Sequence, residues 1–339
     1  MATRFNADIV GSFLRPQALL DARARGASDA QLRAIEDDAI VELLALQAAA
    51  GLPLATDGEF RRGHWTHLVT ALAAGFELRE IGQLALPVPV ARLRQTSSVV
   101  DAEFAFVHAH TDRPVKVTLP APSALGSLWS AGSSAAAYPT RGAFIDDLCA
   151  LLNHEARALA AAGVAYLQLD APHYTRMPPN TTAAEYRAMV SVDNRVFDGV
   201  TGVVTAAHLC RGNYRRPTDT PAIPYDAYAT DVFGGLQVDR LLLEYDDYQA
   251  GDFAPLRHVP AQVTVVLGLV TTKWPRLETD DELLRRIEAA TAYIPLDRLA
   301  LSPQCGFSSL ATLQNVTVEV QQAKLELIVR VAERVWGQA

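Results

Sequence analysis

Three consecutive segments near the C-terminal end decide the fold: Gln262–Leu269 (QVTVVLGL), Asp280–Ala292 (DDELLRRIEAATA) and Leu299–Ser302 (LALS). The outer two are short and almost continuously apolar, while the middle one is longer and amphipathic. Strands apolar on both faces must be covered on both, and an intervening helix supplies the cover and the crossover of a parallel sheet. The same alternation runs through the rest of the chain. Further strand candidates are Asp8–Phe13, Leu52–Asp57, Val115–Pro120, Tyr166–Asp170, Gly202–Ala207 and Leu241–Tyr245. Helix candidates include Asp29–Gly51, Thr140–Gly163, Ala183–Val196 and Leu313–Trp336. The last sets Leu313, Val316, Val320, Leu327, Val331 and Val335 on one face. Eight such strands favour an α/β (β/α)8 TIM barrel over a doubly wound sheet. The strand ends argue the same way, because they carry Ser12, Asp57, Glu59, Asp170, His208, Cys210, Glu244, Thr271, Thr272 and Cys305. Barrel enzymes gather their chemistry on that face, and an open sheet could not bring eight strand ends around one point.

Two stretches break the rhythm. Residues 79–113 alternate polar and apolar positions, with Val99, Val100, Phe104, Phe106 and Val107 among them, and predict a hairpin excursion after the second strand. Ser130–Tyr138, rich in Ser, Gly and Ala, predicts a mobile loop over the active face. No composition shift marks a second unit, so residues 1–339 are expected to form a single domain. At 50% hydrophobic the chain can bury a large core. A net charge of −8 without a long basic run argues against nucleic acid or an anionic membrane as partner. Met1–Asp8 lacks the apolar stretch of a signal peptide, and no apolar run of ~18 residues occurs. A cytoplasmic protein acting on small molecules is expected, with a homo-oligomer left open. The 3 cysteines are too few for a disulfide framework, and Cys149, in a helical pattern, reads as a small buried hydrophobe.

The other two cysteines belong to a different pattern. His208-Leu209-Cys210, Glu244 and Cys305 each stand at the end of a strand candidate. Residues i and i+2 of a strand project to one side, so His208 and Cys210 can grip one ion together. One imidazole, two thiolates and a carboxylate make a ligand set suited to zinc.

These residues carry a resemblance. The chain resembles the cobalamin-independent methionine synthases, namely their C-terminal catalytic barrel and the shorter single-barrel relatives. The matching stretches are Ile9-Val10-Gly11-Ser12-Phe13, Asp57-Gly58-Glu59-Phe60-Arg61-Arg62, Gln168-Leu169-Asp170, His208-Leu209-Cys210-Arg211-Gly212-Asn213, Leu243-Glu244-Tyr245-Asp246 and Ser302-Pro303-Gln304-Cys305-Gly306-Phe307. Together they span almost the whole chain. The resemblance implies a zinc ion held by His208, Cys210, Glu244 and Cys305. It also implies an amino-acid thiol site of Gly11, Ser12, Glu59 and Asp170, with homocysteine as acceptor and a methyltetrahydrofolate as donor. The chemistry agrees: a thiol with pKa ~8.5 is a poor nucleophile until it is deprotonated. Glu59 and Asp170 suit an ammonium group, although Glu59 could instead pair with Arg61 or Arg62.

The departures concern the donor. The long enzymes have Asp-Glu-Pro where this chain has Asp170-Ala171-Pro172-His173, and a histidine after the seventh strand where it has Thr271-Thr272-Lys273-Trp274. Asp170, His173 and Lys273 are the candidates for proton handling, together with a water on Asp246. Trp65, Trp129 and Trp274 could wall a flat donor or merely pack. Arg215 and Arg216, on the loop after the zinc ligands of the fifth strand, could hold an anionic tail or face solvent. Other alkyl transfers remain open, with coenzyme M and an epoxide or with methylcobalamin, as does a non-catalytic metal-binding barrel. Dinucleotide, P-loop and nucleophile-elbow motifs are absent from the sequence.

Overall fold

A computed structural model describes residues 5–82, 84–213 and 223–339. An antiparallel hairpin comes first, β1 (Ala73–Ile81) with β2 (Leu84–Gln95). Six strands follow: β3 (Lys116–Pro120), β4 (Tyr166–Asp170), β5 (Val204–Leu209), β6 (Arg240–Glu244), β7 (Thr264–Val270) and β8 (Leu299–Pro303). They pair in chain order, every pair parallel, with helices such as Arg141–Ala161, Ala183–Asn194 and Asp280–Ala290 in the crossovers.

Alternation along each strand sorts two cores. Leu167, Leu169, Leu241, Leu243, Leu267 and Leu301 belong to the large cluster shared with the helices. Tyr166, Ala206, Leu242, Val266 and Ala300 form a small cluster with Phe5, Val10 and Leu54. Val10 and Leu54 come from the first two strand candidates and Phe5 from just before the first, so both segments share the inner side of the sheet. Below them the buried Asp8 carboxylate accepts from Lys116 at 2.8 Å and from the Tyr166 hydroxyl at 3.0 Å, with Arg240 at 3.4 Å.

Those first two candidates do not form strands. Ala7 bridges Leu301 and Ala55 bridges Val115, each as a single parallel pair, so a closed eight-stranded ladder is not present among the described residues. The reason lies in where their amides donate. Ile9 N–H goes to the Asp8 side chain, Leu14 N–H to Gln321 and Thr56 N–H to Gln47, which removes them from a ladder. The two segments still touch, through Phe13 N–H to Gly58 O at 3.1 Å and the Thr56 hydroxyl to Gly11 O at 2.9 Å.

Three expectations need correction. The hairpin occupies Ala73–Gln95, while Val100–Ala109 is helical and buries Phe104 and Val107 on one face. Ser130–Tyr138 is tied down: Ser134 and Tyr138 are buried, and the Tyr138 hydroxyl donates to Asp147 at 2.8 Å. The final helix runs Val318–Trp336, starting after a Thr317 cap, so Leu313 and Val316 lie before it. No helix among the described residues is long and apolar enough to cross a membrane.

Candidate metal centre and its cavity

The C-terminal ends of β5, β6 and β8 bring four side chains together. One ligand atom each from His208, Cys210, Glu244 and Cys305 lies within 4.8 Å of all the others. His208 closes the inward row of β5 and Glu244 that of β6, so strand alternation alone aims both into the ring. Cys210 and Cys305 follow in the loops, with their sulfurs 3.5 Å apart. Their contact lowers the Cys210 pKa and raises that of Cys305. Burial, reinforced by the Cys210 sulfur, pushes the Glu244 carboxyl well above the usual carboxylate range.

The chemistry of this group fits a cation. Both ring nitrogens of His208 and Oε2 of Glu244 are buried with no hydrogen-bond partner. Orphaned buried polar atoms are costly, and a shared ion would satisfy one His208 nitrogen together with Glu244 Oε2. The other Glu244 oxygen accepts from the Arg211 amide at 2.9 Å, and the Gly212 amide lies 3.3 Å from Cys210 Sγ.

Asn213, two residues further, ties the loops together. Its Nδ2 donates to Gly306 O at 3.0 Å, its Oδ1 accepts from the Thr272 hydroxyl at 2.9 Å, and its own carbonyl accepts from Asn315 at 2.8 Å. The loops carrying Cys210 and Cys305 are thus clamped through one buried amide. The sequence motif included Asn213 without suggesting this role.

The cluster opens on a cavity of about 470 Å3. Ser12, Glu59, Asp170, His173, His208, Cys210 and Cys305 all line it, uniting residues from the first segment to the last. Gly11 lies beside it: a Cβ there would come within 2.7 Å of the Thr118 methyl and 3.4 Å of Glu59 Oε1. Likewise a Cβ on Gly306 would meet Ser12 Oγ at 1.9 Å, so the loop after β8 packs against the first segment only as glycine.

Glu59 is the only non-glycine among the described residues with positive φ, at 59°. Such a backbone costs about 1–3 kcal/mol and persists where surroundings impose it. Here Arg15 takes the Glu59 carbonyl at 2.7 Å, and the Glu59 carboxylate accepts from Thr118 at 3.0 Å while Oε2 has no partner. Neither Arg61 nor Arg62 pairs with it. Arg62 is bidentate to the buried Glu103 at 2.8 and 2.5 Å, and Arg61 reaches Asp37. Across the cavity Gln168 donates to Asp170 at 2.8 Å, and burial, then the Glu59 charge, pushes the Asp170 pKa up to about 7. Two acids held this way would gain from a bound ammonium group.

The remaining candidates fare differently. His173 lines the cavity, but its Nε2 lies 2.7 Å from the Ser123 hydroxyl, which donates to Asp193 at 2.6 Å. Its Nδ1 is sealed without a partner, and burial lowers its pKa to about 3. Lys273 is not among the lining residues; it pairs with Asp246 at 3.1 Å and Asp247 at 3.0 Å, which raises its pKa and disfavours proton donation. Trp129 also misses the cavity because its indole N–H donates to Tyr138 O at 3.0 Å. Trp274 is 47% exposed, so of the three tryptophans only Trp65 lines the cavity. Arg215 and Arg216 lie outside the described residues. Sequence reasoning missed His64, which lines the same cavity.

Comparison with known proteins places this arrangement. The family described as "Cobalamin-independent synthase, Catalytic domain" matches residues 7–334. The uncharacterized protein YxjG of Bacillus subtilis is 35% identical, over 98% of this chain and 95% of its own. The methionine synthase of Pyrococcus abyssi is 28% identical, over 89% and 86%. A crystal structure from Listeria monocytogenes, titled a putative vitamin-B12 independent methionine synthase, superposes with TM-score 0.76 at 27% identity, covering 100% of both chains. A B12-independent methionine synthase from Shewanella, in complex with selenomethionine, shares the fold with TM-score 0.78 at 21% identity, covering 98% of both. With the match extending from the first strand candidate into the final helix, the chain belongs to the cobalamin-independent methionine synthase family and is a methyltransferase.

Proposed function

We propose that this methyltransferase is a (β/α)8 barrel that methylates the sulfur of homocysteine, with zinc held by His208, Cys210, Glu244 and Cys305 and a methyltetrahydrofolate as donor. The observation that carries the reading is the meeting of four ligand atoms within 4.8 Å at a cavity that Glu59 and Asp170 also line. Zinc there would supply Lewis acidity that keeps the acceptor sulfur deprotonated at neutral pH. The chain's own groups do the rest. Glu59, oriented by Thr118, and Asp170, oriented by Gln168, bind the ammonium group. Backbone groups at Gly11 and Ser12 take the carboxylate, which fixes the thiol end toward the cysteines. Leu125, Leu128, Met177 and Leu310 line the same cavity and exclude water from the reacting atoms. Arg215 and Arg216 would meet an anionic donor tail. His173 and Lys273 transfer no proton in this reading, because each is committed to the partners given above.

The test is a donor panel with homocysteine as acceptor: methyltetrahydrofolate with one and three glutamates, methylcobalamin, and simple methyl thioethers. Turnover with a folate donor is expected. Turnover with methylcobalamin and neither folate would overturn the donor. Methylation or alkylation of coenzyme M in preference to homocysteine would overturn the acceptor.

A further inference from the structure

Three histidines line the cavity, and their ring nitrogens are in three different situations. Both nitrogens of His208 are sealed and unpartnered beside the two cysteines, as befits a metal ligand. His173 has Nε2 engaged with Ser123 and Nδ1 sealed. His64 differs from both. Its Nδ1 accepts from the Thr66 amide at 3.3 Å and lies 2.6 Å from the Thr66 hydroxyl. An amide N–H can only donate, so in the neutral ring Nδ1 carries the lone pair and the proton sits on Nε2. Among the described residues Nε2 has no hydrogen-bond partner, and it is not one of the sealed polar atoms, so its N–H is open to a ligand of the cavity that His64 lines. Burial, then His67 and Arg15, lowers the His64 pKa to about 4, which keeps the ring neutral near pH 7.

The surroundings say which ligand this N–H meets. Asp170, His208 and Glu244 stand at the ends of β4, β5 and β6, while Glu59, Cys210 and Cys305 come from loops. His64 caps the short helix Trp65–His67, is bridged to Leu310, and has its ring 5.5 Å from that of Trp65. Trp65, Leu84, Leu86 and Leu310 make that part of the wall apolar. A directed donor in a largely apolar wall orients a flat, largely apolar ligand that offers an uncharged acceptor atom.

We propose that His64, held by Thr66 as the Nε2–H tautomer, is the residue that orients the methyl donor, by a hydrogen bond to a carbonyl or ring nitrogen of a heteroaromatic donor lying against Trp65, Leu84 and Leu86. The assignment rests on the function proposed above, since it presumes a flat donor in this cavity. His64 positions the donor and transfers no proton.

Two measurements on the full chain test it. Side-chain 15N correlation spectra should show His64 as the Nε2–H tautomer from pH 6 to 8. Adding methyltetrahydrofolate should shift its Nε2 resonance, whereas homocysteine alone should not. In kinetics, His64→Phe should raise the donor KM roughly tenfold with the homocysteine KM unchanged. His64→Gln, which returns an N–H near the same place, should recover most of that loss. An Nδ1–H tautomer, an unshifted Nε2 with donor present, or a donor KM unchanged in His64→Phe would each overturn the proposal. So would an equal rise in both KM values. If the wild-type chain methylates nothing in the panel, the functional reading fails separately, and the folate-induced shift at Nε2 still decides the placement of His64.

Discussion

Replacing Asn213 with Ala tests whether the two cysteines are placed by their strands or by the clamp between their loops. Three hydrogen bonds reach the side chain, but they are not equal. The Gln304 bond is 3.5 Å long and contributes little. Thr272 has one hydroxyl proton and a second acceptor, Gln304 Oε1 at 2.8 Å, so it can re-aim without loss. The bond from Nδ2 to Gly306 O, at 3.0 Å, is lost outright, and the carbonyl can regain a donor only if the single Thr272 proton, 3.3 Å away, turns to it instead of to Gln304. One lost bond, one half-satisfied buried carbonyl and the space vacated by a buried amide sum to about 2–3 kcal/mol. The backbone bond from Asn315 survives the substitution.

Urea unfolding in excess chelator measures that cost without a metal contribution. Competition with a chromophoric chelator then measures zinc affinity, expected to fall roughly 10- to 100-fold as the loops drift apart. A destabilisation with zinc affinity held within about twofold would refute the reasoning, because strands β5 and β8 alone would then suffice to set the cysteine spacing.

Two further outcomes are expected. Cys210→Ser or Cys305→Ser should lower the zinc content of purified protein from one per chain to a small fraction, as read by elemental analysis. Far-ultraviolet circular dichroism should stay native, because the large core and not the ion holds the fold. The second concerns pH. Burial, only partly offset by bonds from Ser123 and Tyr174, raises the folded-state pKa of Asp193 from 3.8 to about 6. The native state therefore keeps a proton that the unfolded chain gives up, so this group's contribution to stability falls as pH rises from about 4 to 6. In Asp193→Asn that component disappears, and the stability of wild type relative to variant should decline across the window. A pH-independent difference in urea midpoints would count against it.

What could be read from the sequence was chemistry fixed within one strand. His208 and Cys210 stand two apart, and a strand makes such residues neighbours whatever else the chain does. Glu244 and Asp170 close apolar runs, so their direction followed from alternation. The first two segments misled for the converse reason: Asp8–Phe13 and Leu52–Asp57 look like strands, yet their amides bond to Asp8, Gln47 and Gln321, the last of them 307 residues from Leu14. Residues 99–109 misled similarly: their polar and apolar alternation reads as a hairpin, yet the polar Glu103 is buried against Arg62, 41 residues earlier.

The same distinction separates the candidate metal ligands from the groups that position them. Asn213 reaches Thr272, Gly306 and Asn315 across 59, 93 and 102 residues, and no local spacing marks it. Trp129 could not be aimed without knowing that Tyr138 O takes its N–H. His64 is the instructive case, because the contact that fixes its tautomer is with Thr66, only two residues away. That contact was local, but its consequence was not: an N–H left on Nε2 matters only once Leu84, Leu86 and Leu310 close around it to form a wall. A candidate ligand set can therefore be inferred from such a chain strand by strand, whereas the groups proposed to meet a donor lie in loops and a hairpin whose meeting no local spacing marks.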